Sequence, residues 1–404
     1  MSFLRQGLVT SATIGLLWAL VIATTVSVAL SFATGESFRP SFLGSVVLGL
    51  ASGLALLYSR RSWIVVALLT GVSAALMFTA LHPLTISSSL GTPMRLFAGL
   101  LCGLLTAWPL RVMLEQAIPG ALTRHRFEDA VIRFLTGFGY IVFTAIVLIP
   151  FYVMVMTSLK SQQALLKNPL DFSIDFSRGW DLFRSYFELF GQFNFGQYLW
   201  TSFYVSVLTV LITLLFSVPG AYAVARLQFR GRAAFSRTIL LIYMVPMIVL
   251  ALPIYIAFSM TGLRNTIFGI VLIYPVTTIP VALYMLQGYF RGLPEEVEEA
   301  GLMDGLSRLH VIWKITLPLA LPALVSVSLY VFMIAWNEFL LAFMLLDDPS
   351  KFTLTRGVSM LNSSEIPRQH LMAGAVIATV PIMVLFLTLE RFMTRGLTAG
   401  SVKG

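Results

Sequence analysis

Two places along this chain concentrate groups that could do chemistry. The first is a polar segment from Arg291 to Pro318, in which Pro294 is followed by Glu295, Glu296, Glu298 and Glu299, then Asp304-Gly305, Ser307, Arg308, His310 and Lys314. Pro294 suits the first position of a helix, and the glutamates place negative charge at the positive end of its dipole. Asp304-Gly305 reads as a stop and turn, with Ser307 capping a second short helix. Leu306, Leu309, Ile312 and Trp313 recur there at helical spacing, which predicts one apolar face able to dock against protein. Such a hydrophilic helix–turn–helix fits either a rigid lever for a soluble motor or an ordinary capped surface loop, and capping alone does not separate the two. The second place is Glu338, flanked by Trp336 and Asn337 within an apolar stretch. An ionisable group inside a membrane span is costly without a partner, so Glu338 is a functional candidate, with structural pairing to a neighbouring helix as the alternative.

The elements that must hold these groups are membrane spans. Of 404 residues, 58% are hydrophobic and 11% charged, against about 25% charged in a soluble domain. A hydrocarbon core needs about 20 apolar residues of helix, and such stretches fall near 11–33, 41–58, 63–81, 94–110, 134–157, 199–224, 238–260, 266–290, 320–346 and 371–392. The expectation is an all-α polytopic bundle of about ten spans. The first stretch follows Arg5 and ends near Ser31 and Ala33, but it exceeds the usual 7–15 residues of a signal h-region and three more spans follow, so it reads as a span. The net charge of +9 contains no long basic run that would point to nucleic acid. With an inside N-terminus, most Lys and Arg fall on inside segments, which predicts both termini in the cytoplasm.

A charged bridge, 111–133, divides the chain into a four-span extension, 1–110, and a six-span stretch, 134–404. The extension carries Gly49-x-x-x-Gly53 and Gly99-x-x-x-Gly103, spacings that bring helix backbones close. In the second part Pro150, Pro219, Pro246, Pro253, Pro275, Pro280 and Pro381 lie in or near spans and invite kinks. An outside segment, 160–198, is too aromatic to be disordered and reads as a small cap with one helix near 179–191. Cys102 is a lone cysteine within a span and reads as packing. His82, His125, His310 and His370 are scattered, which argues against a metal site, and no clustered nucleophile, base or ligand set marks an enzyme. Asp347-Asp348-Pro349 reads as a solvated outer turn.

Glu299-Ala300-Gly301-Leu-Met-Asp304-Gly305, followed by Ile315-Thr-Leu317-Pro318, resembles the EAA motif of binding-protein-dependent ABC importer permeases, commonly Glu-Ala-Ala-x-x-Asp-Gly-Ala and then Ile-x-Leu-Pro. Gly301 and Leu306 depart from it where alanines are usual. Trp336-Asn337-Glu338-Phe339 and the ending Arg395-Gly396-Leu397-Thr398-Ala399-Gly400-Ser401-Val402-Lys403-Gly404 resemble carbohydrate permeases of the maltose type, second-permease branch. The resemblance covers about 134–404. It implies a multi-pass inner-membrane subunit that pairs with a second permease, two ATPase protomers and an extracytoplasmic sugar-binding protein. The 294–318 loop, through Glu298, Glu299, Ala300, Gly301, Asp304, Gly305, Leu317 and Pro318, would sit against an ATPase, and the tail with Arg395, Gly396, Leu397, Thr398, Gly400 and Lys403 would lie nearby. Trp336, Asn337 and Glu338 are candidates for the carbohydrate path, since sugar hydroxyls take hydrogen bonds and sugar faces stack on aromatics. The chain has no Gly-Lys dipeptide and hence no phosphate-binding P-loop, so ATP and Mg belong on the ATPase chains and no cofactor is expected on this one. The alternative is a stand-alone secondary transporter or channel, which would need a polar lining across several spans.

Overall fold

A computed structural model describes residues 5–59, 63–87, 90–168 and 173–398, with the side chains of 240, 243 and 390–398 outside the description. Helix dominates, because a lipid-facing segment must satisfy its backbone polar groups internally. The chain forms two compact units that meet in sequence at Leu182 and Phe183.

The first unit holds α1 (Gly7–Thr34), α2 (Phe42–Tyr58), α3 (Trp63–Leu76), α4 (Thr92–Met113), α5 (Arg124–Ser158) and α6 (Gln162–Lys167). A small antiparallel ribbon pairs Phe38 with Ile86 and Pro40 with Leu84. The glycine spacings serve close approach: a Cβ on Gly49 would lie 2.5 Å from the Gly15 carbonyl oxygen, and one on Gly103 would lie 2.8 Å from Thr70 Cα. The bridge 111–133 is built rather than open. Arg111 closes α4, Thr123 caps α5 through the Arg126 amide, and Arg133 donates to the Val112 carbonyl and to Glu115, both at 2.8 Å. Further along α5, Phe134 meets Trp18 edge-on at 6.3 Å, and Tyr152 stacks on Phe32 at 5.8 Å while donating to its carbonyl at 3.0 Å. The compact unit therefore extends past the charged bridge and includes the first span of the 134–404 stretch.

The second unit holds α7 (Arg184–Gln192), α8 (Phe195–Arg226), α9 (Arg232–Tyr243), α10 (Met247–Met260), α11 (Ile267–Gly292), α12 (Glu295–Met303), α13 (Arg308–Val311), α14 (Leu317–Leu319), α15 (Leu321–Asn337), α16 (Leu340–Leu345), α17 (Leu354–Met360) and α18 (Arg368–Thr398). Helices α8 and α11 lie against each other along their length, and α15 packs on α8 and α18. One apolar core gathers Phe195, Tyr274, Trp336 and Phe352, and another, at the far end, gathers Tyr222, Leu286, Phe290 and Val327.

Two predicted spans are broken. The 238–260 stretch divides because Pro246, with extended ψ, heads α10. The 320–346 stretch divides because Glu338 leaves the helix to cap α16. Among the described residues, six helices are long and apolar enough to cross a membrane, or seven if Arg308–Leu319 and Leu321–Asn337, bent by 75°, form one span. Helices α2, α3 and α10, at 17, 14 and 14 residues, fall short of the roughly 20 residues a straight crossing needs. The described part of the 160–198 segment contains α6, a 3-10 stretch at Phe176–Phe183 and α7, so the helix predicted near 179–191 begins five residues later.

Candidate coupling site

The site begins where α11 gives way to α12. Pro294, with φ −59° and ψ 128°, caps α12 rather than occupying its first turn. Past Met303 the chain reverses: the amides of Asp304, Gly305 and Leu306 donate to the carbonyls of Ala300, Leu302 and Gly301 at 2.9, 3.0 and 3.1 Å. Gly305 takes φ +84°, which a side chain would resist. Ser307 then caps α13 by accepting from the His310 amide. The helix continues through a wider π turn, Ile312–Thr316, and α14, and bends at Ala320 into α15.

The four glutamates play different parts. Glu296 and Glu299 are exposed, and the Glu295 side chain is 76% exposed, whereas that of Glu298 is only 12% exposed. Glu298 accepts from the Tyr222 hydroxyl at 3.1 Å and from Thr316 Oγ1 at 3.0 Å, and Arg226 Nε lies 3.4 Å away. Arg226 is itself buried, and it donates to Glu295 at 3.0 Å and to the Leu293 carbonyl at 2.6 Å. One carboxylate and one guanidinium thus tie α12 to the end of α8 and to the π turn. Tyr222, Arg226 and Thr316 are functional candidates that sequence reasoning missed. A cation in the last turn of an apolar helix was the available signal, but its partners lie about 70 residues away.

Gly301, one of the two departures from the motif, is buried: a Cβ there would meet Ile315 Cδ1 at 2.5 Å. Ile315 fills the space an alanine methyl would take. The apolar face predicted for the second helix is divided. Leu306 and Ile312 are half-buried, while Leu309 and Trp313 point outward with 70% and 71% exposure, joined by Met303 at 88%. Exposed Glu299, Ala300, Asp304 and Pro318 stand with these apolar groups, and Leu317 is half-buried. The exposed side chains of α12, α13 and the π turn therefore include both large apolar groups and carboxylates, a composition suited to protein contact.

The tail residues Arg395, Gly396, Leu397 and Thr398 form the last turn of α18, and Gly400 and Lys403 lie outside the described residues. Trp336 is buried, stacks on Phe332 at 5.6 Å and donates its indole N–H to the Ala378 carbonyl at 3.0 Å. Both Glu338 carboxylate oxygens accept backbone amides, from Leu341 at 2.8 Å and Ala342 at 3.1 Å, beside the buried Tyr274. Asn337 is exposed and donates to the Met333 carbonyl. The Asp347-Asp348-Pro349 turn is fixed by Asn265, whose Oδ1 accepts the amides of Asp347 and Asp348 at 3.1 and 3.0 Å, and Arg264 pairs with Asp347 at 2.6 Å.

Residues 217–398, which enclose all these groups, match the family model for the binding-protein-dependent transport system inner membrane component. The chain is 36% identical over 270 residues to the inner membrane ABC transporter permease protein YcjP of Escherichia coli, covering 95% of that protein and 66% of this one. This chain belongs to the binding-protein-dependent transport inner membrane family. Among its relatives is the trehalose/maltose transport system permease protein MalG of Thermococcus litoralis, 32% identical over 281 residues, with 99% of that protein and 69% of this chain covered. Another is the trehalose transport system permease protein SugB of Mycobacterium tuberculosis, 36% identical over 227 residues, covering 82% of it and 55% of this chain. The fold is that of a chain from a bacterial ABC transporter involved in the import of the acidic polysaccharide alginate, with TM-score 0.56 at 23% identity, covering 98% of that chain and 67% of this one. A third of this permease, in each of the longer matches, has no counterpart.

Proposed function

We propose that this chain is the membrane-spanning permease subunit of an ATP-driven carbohydrate importer, and that α12 and α13 receive force from a separate ATPase. The observation that carries this reading is the pinned helix pair. Glu298, Arg226, Tyr222 and Thr316 fix its inner side to α8 and to the root of α15. Its outer side presents Met303, Leu309 and Trp313. A lever needs a rigid attachment and a free face, and these residues supply both. Displacement of α12 would reach α8 through the ion pair and α15 through the π turn and the 75° bend. The sugar-transport relatives support a carbohydrate as cargo.

In this reading the α12–α13 end is cytoplasmic, as are both termini, and the segment 160–198 is extracytoplasmic, within reach of a sugar-binding protein. A second permease completes the path, and two ATPase protomers hold ATP and Mg. Residues 134–404 do the transport work, with about ten spans in the whole chain, and 1–110 form an added membrane module. Along the path, Trp336 and Glu338 are committed to structural hydrogen bonds, so Asn337 is the member of that trio placed to meet sugar. The tail from Arg395 approaches the ATPases.

The test is co-purification and reconstitution with the cognate ATPase and second permease. Glu299→Arg, at an exposed position, should weaken ATPase association at least tenfold and uncouple hydrolysis from uptake while leaving thermal stability unchanged. Full association and coupled uptake in that variant would remove the coupling assignment.

A further inference from the structure

The end of the second unit that carries the coupling pair also carries an open cleft of about 460 Å³, lined by Phe229, Gly231, Arg232, Ala233, Ala234 and Arg291. Its charge is unbalanced. Between Arg226 and Glu295 the chain contains no Asp or Glu, yet it carries Arg230, Arg232, Arg237 and Arg291, of which Arg232 and Arg291 line the cleft. Arg226 is neutralised by its glutamates, but these four have no ion pair among the described residues. Arg232 spends Nε and one Nη2 proton on the Val224 and Ala225 carbonyls, at 2.7 and 2.9 Å. A guanidinium has five N–H donors, so three remain. Arg291 meets the neutral amide of Gln287, whose oxygen, assigned toward it, accepts at 2.8 Å. The first turn of α9 lines the same cleft and adds the positive end of a helix dipole.

The surroundings are apolar. Phe229, Phe235, Leu241 and Ile242 are between 43% and 63% exposed, on the turn before α9 and along it. A soluble phosphate would leave that surface unused, whereas a phospholipid uses both parts: its phosphate takes the arginine donors and its acyl chains cover the helix. Basic pockets among membrane helices are the usual form of such recognition. We propose that this cleft binds the headgroup phosphate of an anionic phospholipid. The assignment goes beyond the transport reading and stands without it.

The purified full chain would be placed in nanodiscs of phosphatidylcholine with and without phosphatidylglycerol, and retained lipid counted by native mass spectrometry. Wild type should keep phosphatidylglycerol over phosphatidylcholine. Arg232→Ala with Arg291→Ala, the two arginines that line the cleft, should lose roughly fivefold retention for each arginine removed, Arg232→Lys with Arg291→Lys should keep most of it, and Arg39→Ala, at an exposed position outside the cleft, should be unaffected. A photoactivatable phosphatidylglycerol should crosslink to wild type at the peptide containing Phe229 to Arg232, a measurement that requires no variant to fold. Equal retention of the two lipids, an alanine pair that binds as wild type, or crosslinks lying elsewhere would overturn the proposal. Displacement by equimolar inorganic phosphate would assign the cleft to free phosphate instead. Loss of crosslinking on adding the ATPase subunits would assign it to protein. Either result overturns the lipid assignment.

Discussion

Arg226 and Glu298 hold α12 by charges that have been taken out of water, and this makes their removal asymmetric. Breaking one member of a buried pair leaves the other uncompensated, at a cost of about 3–5 kcal/mol, whereas replacing both by apolar groups is often near neutral. Arg226→Met alone should therefore lower the thermal unfolding midpoint markedly, and Arg226→Met with Glu298→Leu should recover much of the loss. Uptake should stay low in both, because neither rebuilds a rigid tie between α12 and α8. A double variant that transports normally would mean the pair is only structural. Gly301 offers the opposite case. The clash of a new methyl is with Ile315 Cδ1, the free end of a flexible side chain, while a helical Gly→Ala change gains about 0.5–1 kcal/mol. Gly301→Ala should be neutral to slightly stabilising and should retain ATPase association, measured by melting and pull-down. A strong loss of either would show that the Gly301–Ile315 contact shapes the docking surface itself.

At the scale of elements, α7 is fastened to the start of α18 by Glu188. Its carboxylate pairs with Arg184 at 2.7 Å and lies 2.6 Å from His370 Nε2. The Arg184 hydrogen bond, with His370 adding to it, holds the Glu188 carboxyl below the usual range despite some burial. A depressed folded value means that this contribution is full above the ordinary glutamate value of about 4.3 and is lost as the pH falls through the folded one. Amide exchange in α7 should accelerate on acidification below about pH 4, and Glu188→Gln should flatten that dependence. Unchanged protection in wild type across that range would exclude the clasp. At the other break, Glu338 caps α16, and losing a cap costs about 1 kcal/mol. Glu338→Gln keeps an acceptor oxygen and should melt and transport nearly as wild type, whereas a normal melt with lost uptake would make Glu338 a substrate contact. The apolar runs made the long helices legible in the sequence, and the Pro294, Asp304-Gly305 and Ser307 grammar made the turn legible, because both are local. The divisions at Pro246 and Glu338 were harder to read, since a proline or a carboxylate inside an apolar run fits a kinked span as well as a cap. The outward aim of Leu309 and Trp313 was harder still, since periodicity gives a face but not which neighbour covers it.

For the molecule as a whole, the question is what the helices α1 to α4 do for a permease. In lipid there is no hydrophobic force between helices, so association rests on packing, hydrogen bonds and ion pairs. Within its unit, helix α5 has no fully buried residue in its apolar window, and among its ties are the Arg133, Phe134 and Tyr152 contacts to Val112, Glu115, Trp18 and Phe32. Those partners lie on α1 and α4 or just beyond them. These contacts fasten α5 to α1 and to the end of α4. Deleting residues 1–110 would strip Trp18 and Phe32 from α5 while leaving Val112 and Glu115, so one end of the helix keeps its hydrogen bonds and the rest loses its packing. The shortened chain should insert into the membrane but assemble poorly with the second permease and ATPases, with co-purified complex reduced severalfold and uptake reduced in proportion. Trp18→Ala with Tyr152→Phe, in the full-length chain, should reproduce a milder form of the same defect without removing any span. If the shortened chain assembled fully yet failed to transport, the extension would act in the transport cycle itself, and if it assembled and transported as wild type, α5 would need no holder.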